Sequence, residues 1–262
     1  MKTKFKTLKL IAIAVTLFAL PFNASASAFD LYLCGGGTAS LLPDVTVTGT
    51  LKVNDIVVWQ EFNATTDVPM GTATQLTVTA NGVAPSFPLP ALGTGAHNYK
   101  VFVISASANS CSGDVSDAFK IYALPAPTIT LAAPTLTFCE SGSNTALTSS
   151  VITATAAALA TELTDVSYEF VWSATKDANA VGDVTTVGTI DPILPASLNV
   201  NTFTLNNTAG HGAYIFKAKI NYKVAAGTLK GDTGTGCIVE SGASPTINVT
   251  AKPAKPIIRI AP

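Results

Sequence analysis

The sequence predicts an all-β protein made of two tandem sandwiches. Three observations carry this. Charged residues make up only 12% of the chain, which is rich in Thr, Val, Ile and Ala. Its apolar residues alternate at period two: Tyr214, Phe216, Ala218, Ile220 and Tyr222 interleave with Lys217, Lys219, Asn221 and Lys223. That pattern gives a strand one dry face and one wet face. The third observation is an internal repeat, in which Cys, Trp, Tyr and Cys recur in the same order.

The elements follow in chain order. Lys2, Lys4, Lys6 and Lys9 precede the apolar run Leu10–Leu20, and Pro21 breaks it before "ASASA". A basic start, a short apolar stretch and small residues at a cleavage position mark a secretory signal peptide over residues 1–28, cut after Ala26 or Ala28. The run is too short to span a bilayer with ease, and no second run reaches spanning length, so no membrane span is expected. Cleavage removes four of 15 Lys+Arg against 16 Asp+Glu, leaving an acidic chain whose one arginine is Arg259. Nucleic acid needs a basic face to neutralise phosphates, and this chain offers none.

The first unit spans Phe29–Leu124 and the second Pro125–Lys252. "LYLCGGGTASLLPDVTV" from Leu31 matches "LTFCESGSNTALTSSVI" from Leu136, and "IVVWQEFNATTD" from Ile56 matches "YEFVWSATKDANA" from Tyr168. "GTGAHNYKVFVISA" from Gly93 matches "TAGHGAYIFKAKINY" from Thr208. Trp59, Trp172, Tyr99 and Tyr214 take core positions. Extra length in the second unit falls at Ala156–Thr164 and Val224–Gly236, both expected as loops. Thr153–Leu163 reads equally as a helical turn or a long strand. Leu124–Thr128, rich in proline, reads as a short hinge. About seven short strands per unit, with a core Trp and two Cys, fit a β-sandwich.

An even number of cysteines in an exported chain argues for disulfides, and no zinc spacing occurs. The repeat pairs Cys34 with Cys111 and Cys139 with Cys237, one bridge per unit.

A first strand ending in "CGGGTASL", a central Trp, a "GxxxYxVxV" strand, then "SCSGD" and "PAPTI", resembles the immunoglobulin-like and PKD-like repeats of Bacteroidetes surface proteins. The likeness covers nearly the whole exported chain. It implies two tandem immunoglobulin-like domains acting as spacer, adhesive module or filament part. Cys111 follows Tyr99 by twelve residues rather than two, which places Cys111 and Cys237 beyond the sixth strand of each unit.

No arrangement of nucleophile, acid and base appears, so no enzyme and no cofactor is expected. His97 and His211 recur before Tyr99 and Tyr214, one per unit, without a carboxylate partner in the sequence; they read as turn residues. Asp177, Asn179 and Asp183 form a weak Ca²⁺ candidate, since oxygen ligands at such spacing can hold the ion but the EF-hand pattern is missing. Asp114 and Asp117 carry no stronger signal. The glycines of "CGGGTAS" lack the ending of a phosphate loop and read instead as close packing beside a disulfide.

The ends of the two units differ. The second unit has room for an extra first strand at Thr128–Leu131, and the first unit lacks it. Residues Ile257, Ile258, Arg259 and Ile260 align with that strand and read as a donor strand within Pro253–Pro262. The expected function is therefore a non-catalytic secreted structural or adhesive protein, at the cell surface, extracellular or periplasmic. Head-to-tail fibre assembly through this strand would make its partner a second copy of itself. Other surface proteins or glycans are the remaining partners, and a carbohydrate- or protein-binding module is the alternative function.

Overall fold

The structure, a computed structural model, describes residues 29–44, 51–107, 111–140, 148–193, 198–231 and 237–259. The leader expected over 1–28 and Ile260 of the expected donor strand lie outside these residues. The chain is almost entirely strand and turn. The N-terminal half contains β1 (Leu31–Cys34), β2 (Ser40–Leu41), β3 (Ile56–Phe62), β4 (Pro69–Thr77), β5 (Phe87–Pro88), β6 (Gly95–Ile104) and β7 (Phe119–Leu124). The C-terminal half contains β8 (Ile129–Ala132), β9 (Thr137–Cys139), β10 (Ser149–Ala156), β11 (Val166–Lys176), β12 (Asn179–Val181) and β13 (Gly188–Ile190). It continues with β14 (Val200–Asn206), β15 (Gly212–Val224), β16 (Thr228–Gly231), β17 (Ile238–Glu240) and β18 (Ile247–Thr250). Thr153–Ala156, undecided in the sequence, completes β10.

The C-terminal half faces one sheet, ordered β13-β14-β10-β8, against another, ordered β12-β11-β15-β18-β9, with β17 also on β15. Phe138, Ile152, Trp172, Phe203 and Phe216 fill the space between them. The alternation read along Tyr214–Lys223 is realised: Tyr214, Phe216, Ala218 and Ile220 are fully buried, and Lys217 and Lys219 are exposed. The N-terminal half repeats the larger sheet as β1-β7-β6-β3-β4, over the short pair β2-β5. Its core holds Leu31, Val57, Trp59, Phe87, Tyr99 and Ile121. The rings of Trp59 and Phe87 stack at 5.2 Å, as Trp172 meets Phe203 at 5.8 Å, so the repeat extends to the packing.

The two halves are not independent. β16 lies within Val224–Gly236, expected as a loop, yet it joins the N-terminal sheet as a sixth strand, parallel to β1. All four β1 residues are buried because the strand is covered on both faces. Leu31 and Leu33 point into the N-terminal core, and Tyr32 and Cys34 point toward the C-terminal half.

Candidate functional site

The feature that most sets this chain apart is the junction between its halves. Phe29, Tyr32 and Tyr122 pack against Val166, Tyr168 and Tyr222 in one apolar cluster. The tyrosines each place a polar tip where a partner waits. Tyr32 donates its hydroxyl to both carboxylate oxygens of Asp165 at 2.6 Å. Tyr122 donates to Glu162 at 3.0 Å, and Tyr222 donates to the Pro125 carbonyl at 3.1 Å. A buried aromatic with a satisfied hydroxyl contributes both area and orientation. Burial, followed by the Glu162 carboxylate, pushes the Tyr122 hydroxyl up to about 12. Tyr222 rises further, again mainly through burial.

The segment expected as a hinge is held at several points. Leu124 is buried, Pro125 accepts from Tyr222, and Ala157 donates its N–H to the Thr128 carbonyl at 3.1 Å. Thr228 N–H adds a bond to the Asp30 carbonyl at 3.2 Å, extending the β16–β1 ladder. The junction thus holds a continuous sheet, a shared core and a linker with few free torsions.

A disulfide closes this junction, and it differs from the expected pairing. Cys34 bonds Cys237 across the two halves, with Cα atoms 5.2 Å apart. Cys34–Cys111 and Cys139–Cys237 are not formed. The reason lies in strand direction. β6 starts beside the junction, with Gly95 opposite Ala123, and runs away from it; the Cys111 carbonyl bonds Ser105 N–H past its far end. Cys34 sits at the junction end of β1, so Cys111 is out of reach. The same holds in the second half. Cys139 lies at the base beside Thr250, whereas the Cys237 carbonyl bonds Tyr222 N–H near the top of β15. Cys139 is half-buried and receives a weak contact from the Thr250 hydroxyl at 3.3 Å. The glycines of "CGGGTAS" do pack beside a disulfide. A Cβ on Gly37 would lie 3.0 Å from the Lys230 carbonyl oxygen, and one on Gly231 would collide with Cys237 Sγ.

The other candidates fall at separate places. His97 Nδ1 is 2.7 Å from Glu61 Oε1, and its Nε2 is 2.7 Å from the Gly93 carbonyl oxygen. His211 Nδ1 is 3.3 Å from Glu140 Oε2. Each histidine therefore has a carboxylate partner that the sequence did not reveal, because Glu61 lies on β3 and Glu140 just after β9, both far away in the chain. Asp177 accepts from Ala213 N–H at 2.9 Å, and Asn179 bonds back to the Asp177 carbonyl at 3.1 Å. Asp183 caps the 3-10 turn at Val184–Thr186 through Thr185 N–H and hydroxyl, which hold its carboxyl below the usual range. These oxygens thus serve local turns. Among the described residues, no group of three His, Cys, Asp or Glu is placed to hold a metal ion. Nor is any helix among them long and apolar enough to cross a membrane.

No family model matches this chain, and no curated protein matches it. Its chemistry must be read from its own geometry. Trp59, Trp172, Tyr99 and Tyr214 are all buried. Trp172 Nε1 donates to Asn201 Oδ1 at 2.7 Å, while the buried Trp59 Nε1 meets no acceptor among the described residues. Residues 251–259 carry no regular structure, and Ile257 and Ile258 are 80% and 98% exposed. Lys252 N–H is held by Glu140 at 3.1 Å, so the segment departs from the base of the second half.

Proposed function

We propose that this chain is a non-catalytic, exported structural protein of the cell surface, in which two immunoglobulin-like sandwiches are fused into one stiff rod. The junction is the observation that carries this reading. A strand shared between halves, a common aromatic core and the Cys34–Cys237 bridge resist bending at the one place where a two-unit chain would flex. A spacer or a fibre subunit needs that resistance; a pair of independent binding modules does not. A disulfide also suits an oxidising compartment, in keeping with the leader. The likeness of its repeats to those of Bacteroidetes surface proteins adds support for the surface. Catalysis would need acid, base and nucleophile to converge, and the two His–carboxylate pairs belong to opposite halves.

Small-angle scattering of the exported chain tests the rod. A single elongated particle is expected, with the same maximum dimension at all concentrations that keep it monomeric. It should not be nicked at Pro125–Thr128 by proteases that cut extended linkers. A distribution of inter-unit angles, or rapid cleavage there, would overturn the reading. A cleft of about 430 Å³ lined by Trp59, Glu61, Thr72, Phe87 and Tyr99 favours ligand binding as a second function. A glycan array tests it directly.

A further inference from the structure

We propose that the cleft between β4 and β5 binds an organic ammonium group on an apolar stem, with Glu61 as its counter-ion. This rests on the ligand-binding reading of that cleft and names the ligand's chemistry.

The cleft exists because one half lacks a piece that the other has. Leu41 lies opposite Phe87, and Ile152 lies opposite Phe203; those phenylalanines are matched by their contacts with Trp59 and Trp172. Phe87–Pro90 therefore corresponds to Phe203–Asn206. (The sequence repeat instead sets Val47 against Ile152, six residues out of step with Leu41.) In the second half β13 pairs with β14 along that stretch, and Val184 and Val187 join the buried core of Trp172 and Phe203. Asn206 N–H extends the contact to the Val187 carbonyl at 3.1 Å. In the first half, among the described residues, no strand pairs with the outer edge of β5. The space stays open as a cleft of about 430 Å³, walled by Trp59, Glu61, Met70, Phe87, Pro88 and Pro90.

Two backbone features hold the cleft open and keep a strand out of it. The bond from Leu89 N–H to the Ala39 carbonyl turns the odd residues of this segment toward β2. Pro88 and Pro90 therefore lie on the outer edge, where neither has an N–H to donate. Asn206, the counterpart of Pro90, donates there in the second half. On the opposite wall Trp59 pairs with Thr74 and Glu61 with Met70, so Gln60 alone opposes the bulge Gly71–Ala73. Gly71 takes a positive φ of 64°, and Gln60 Nε2 ties the bulge by donating to the Met70 carbonyl at 2.5 Å. A proline-blocked edge facing a bulge suits a side chain or a small molecule rather than an added strand.

The chemistry follows from Glu61. Trp59 pairs with Val101 and Trp172 with Ala218, so Glu61 stands where the second half has the buried Ala174. Among the described residues lining the cleft, it alone carries a formal charge. His97 Nδ1 lies 2.7 Å from its Oε1, and Tyr99 donates to its Oε2 at 3.4 Å. Burial, followed by the Glu61 charge, raises the Tyr99 hydroxyl, which keeps it a donor. The Glu61 side chain is 26% exposed, and a carboxylate has about four acceptor sites, so capacity remains for a ligand's donors. An ammonium group supplies those donors and the opposite charge. An apolar stem suits the remaining walls, Met70, Pro88 and Pro90. A sugar ring would need donors and acceptors on several sides and an open aromatic face, yet Trp59, Phe87 and Tyr99 are buried.

The two tryptophans make the test local. Trp59 lines the cleft and Trp172 belongs to the other half, so their indole N–H signals in NMR spectra report separately; Trp59→Phe assigns them. Titrating the exported chain with hexylamine should move the Trp59 signal and leave that of Trp172. Hexanoate should move neither. Hexanol, with the same stem and no charge, should bind about tenfold more weakly, and Glu61→Gln should weaken hexylamine by about the same factor or more. Thr72→Trp, on the exposed rim, should block the cleft with Glu61 intact. An unchanged Trp172 signal and unchanged circular dichroism will show that these variants fold. The peptide acetyl-Ala-Lys-Ala-amide separates two sources of the ammonium: tighter binding than hexylamine assigns the cleft to a partner protein's lysine, and weaker binding to a free amine. A Trp59 signal that neither amine moves, equal binding of hexanol, or a Glu61→Gln variant that binds hexylamine undiminished would each overturn the proposal. A saccharide that moves the Trp59 signal where amines do not would sink the ammonium alone and leave ligand binding standing. Silence from amines and from the glycan array would overturn both.

Discussion

Removing the Cys34–Cys237 bridge is the perturbation with the clearest expected size. The bond closes a loop across a sequence separation of 203. In the chain-entropy model, −2.1 − 1.5R ln n with n of about 200 gives about 18 cal/mol/K, or about 5 kcal/mol at 25 °C. The pairings expected from the repeat would close loops less than half as long, each worth about 4–5 kcal/mol on the same scale. The variants therefore separate the two arrangements by which cysteines matter, not by the size of any single effect. Cys34→Ala with Cys237→Ala should lower stability by about 3–5 kcal/mol. With m of about 5 kcal/mol/M in guanidinium, the midpoint falls by up to about 1 M. Cys139→Ala, which loses only a half-buried thiol and a weak hydroxyl contact, should cost about 1 kcal/mol or less. Unfolding curves of the oxidised proteins, followed by fluorescence, measure both. If Cys139→Ala shifts the midpoint as far as the double variant does, the structural pairing is refuted. A non-reducing digest that yields a Cys34–Cys111 peptide would do the same.

Three other outcomes follow from particular contacts. Gly231→Ala should cost about 1–3 kcal/mol in chemical denaturation, because its new methyl has no room beside Cys237; Gly93→Ala, with no atom within 4 Å of the added carbon, should change stability little. Trp172→Phe strands the Asn201 side-chain carbonyl in the core, whereas Trp59→Phe removes a buried N–H that has no acceptor among the described residues. The first should therefore cost about 1–2 kcal/mol more than the second in thermal melts. Finally, burial raises the hydroxyls of Tyr99, Tyr122, Tyr168 and Tyr222 above their ordinary value near 10, with Tyr122 at about 12. A raised folded value means the stabilisation is whole below pH 10 and is lost as pH climbs toward 12 and beyond. Phenolate absorbance at 295 nm should appear together with loss of the β-sheet signal; four tyrosines that titrate at pH 10 in a still-folded protein would show the burial to be wrong.

Which parts of this architecture were legible depended on whether their signals were local. Alternation along Tyr214–Lys223 reported a strand with one wet face, and the structure has that face where the pattern put it. The placing of glycines beside a disulfide was also readable, because three in a row have few other uses after a strand. The pairing of the cysteines was not. Repeat symmetry treats each unit as closed, and a unit that borrows a strand breaks that assumption. β16 consists of Thr-Leu-Lys-Gly, too short and too polar to announce a strand, and its partner lies almost 200 residues earlier in a parallel ladder that no local pattern encodes. One clue was present. "LYLC" shows no alternation at all, and a strand without a polar face is a strand covered on both sides. Such a strand requires a second covering layer over Tyr32 and Cys34, and the other unit supplies it. The sequence repeat sets the second strand of the first unit six residues out of step, and only the stacking of Trp59 on Phe87 corrects it.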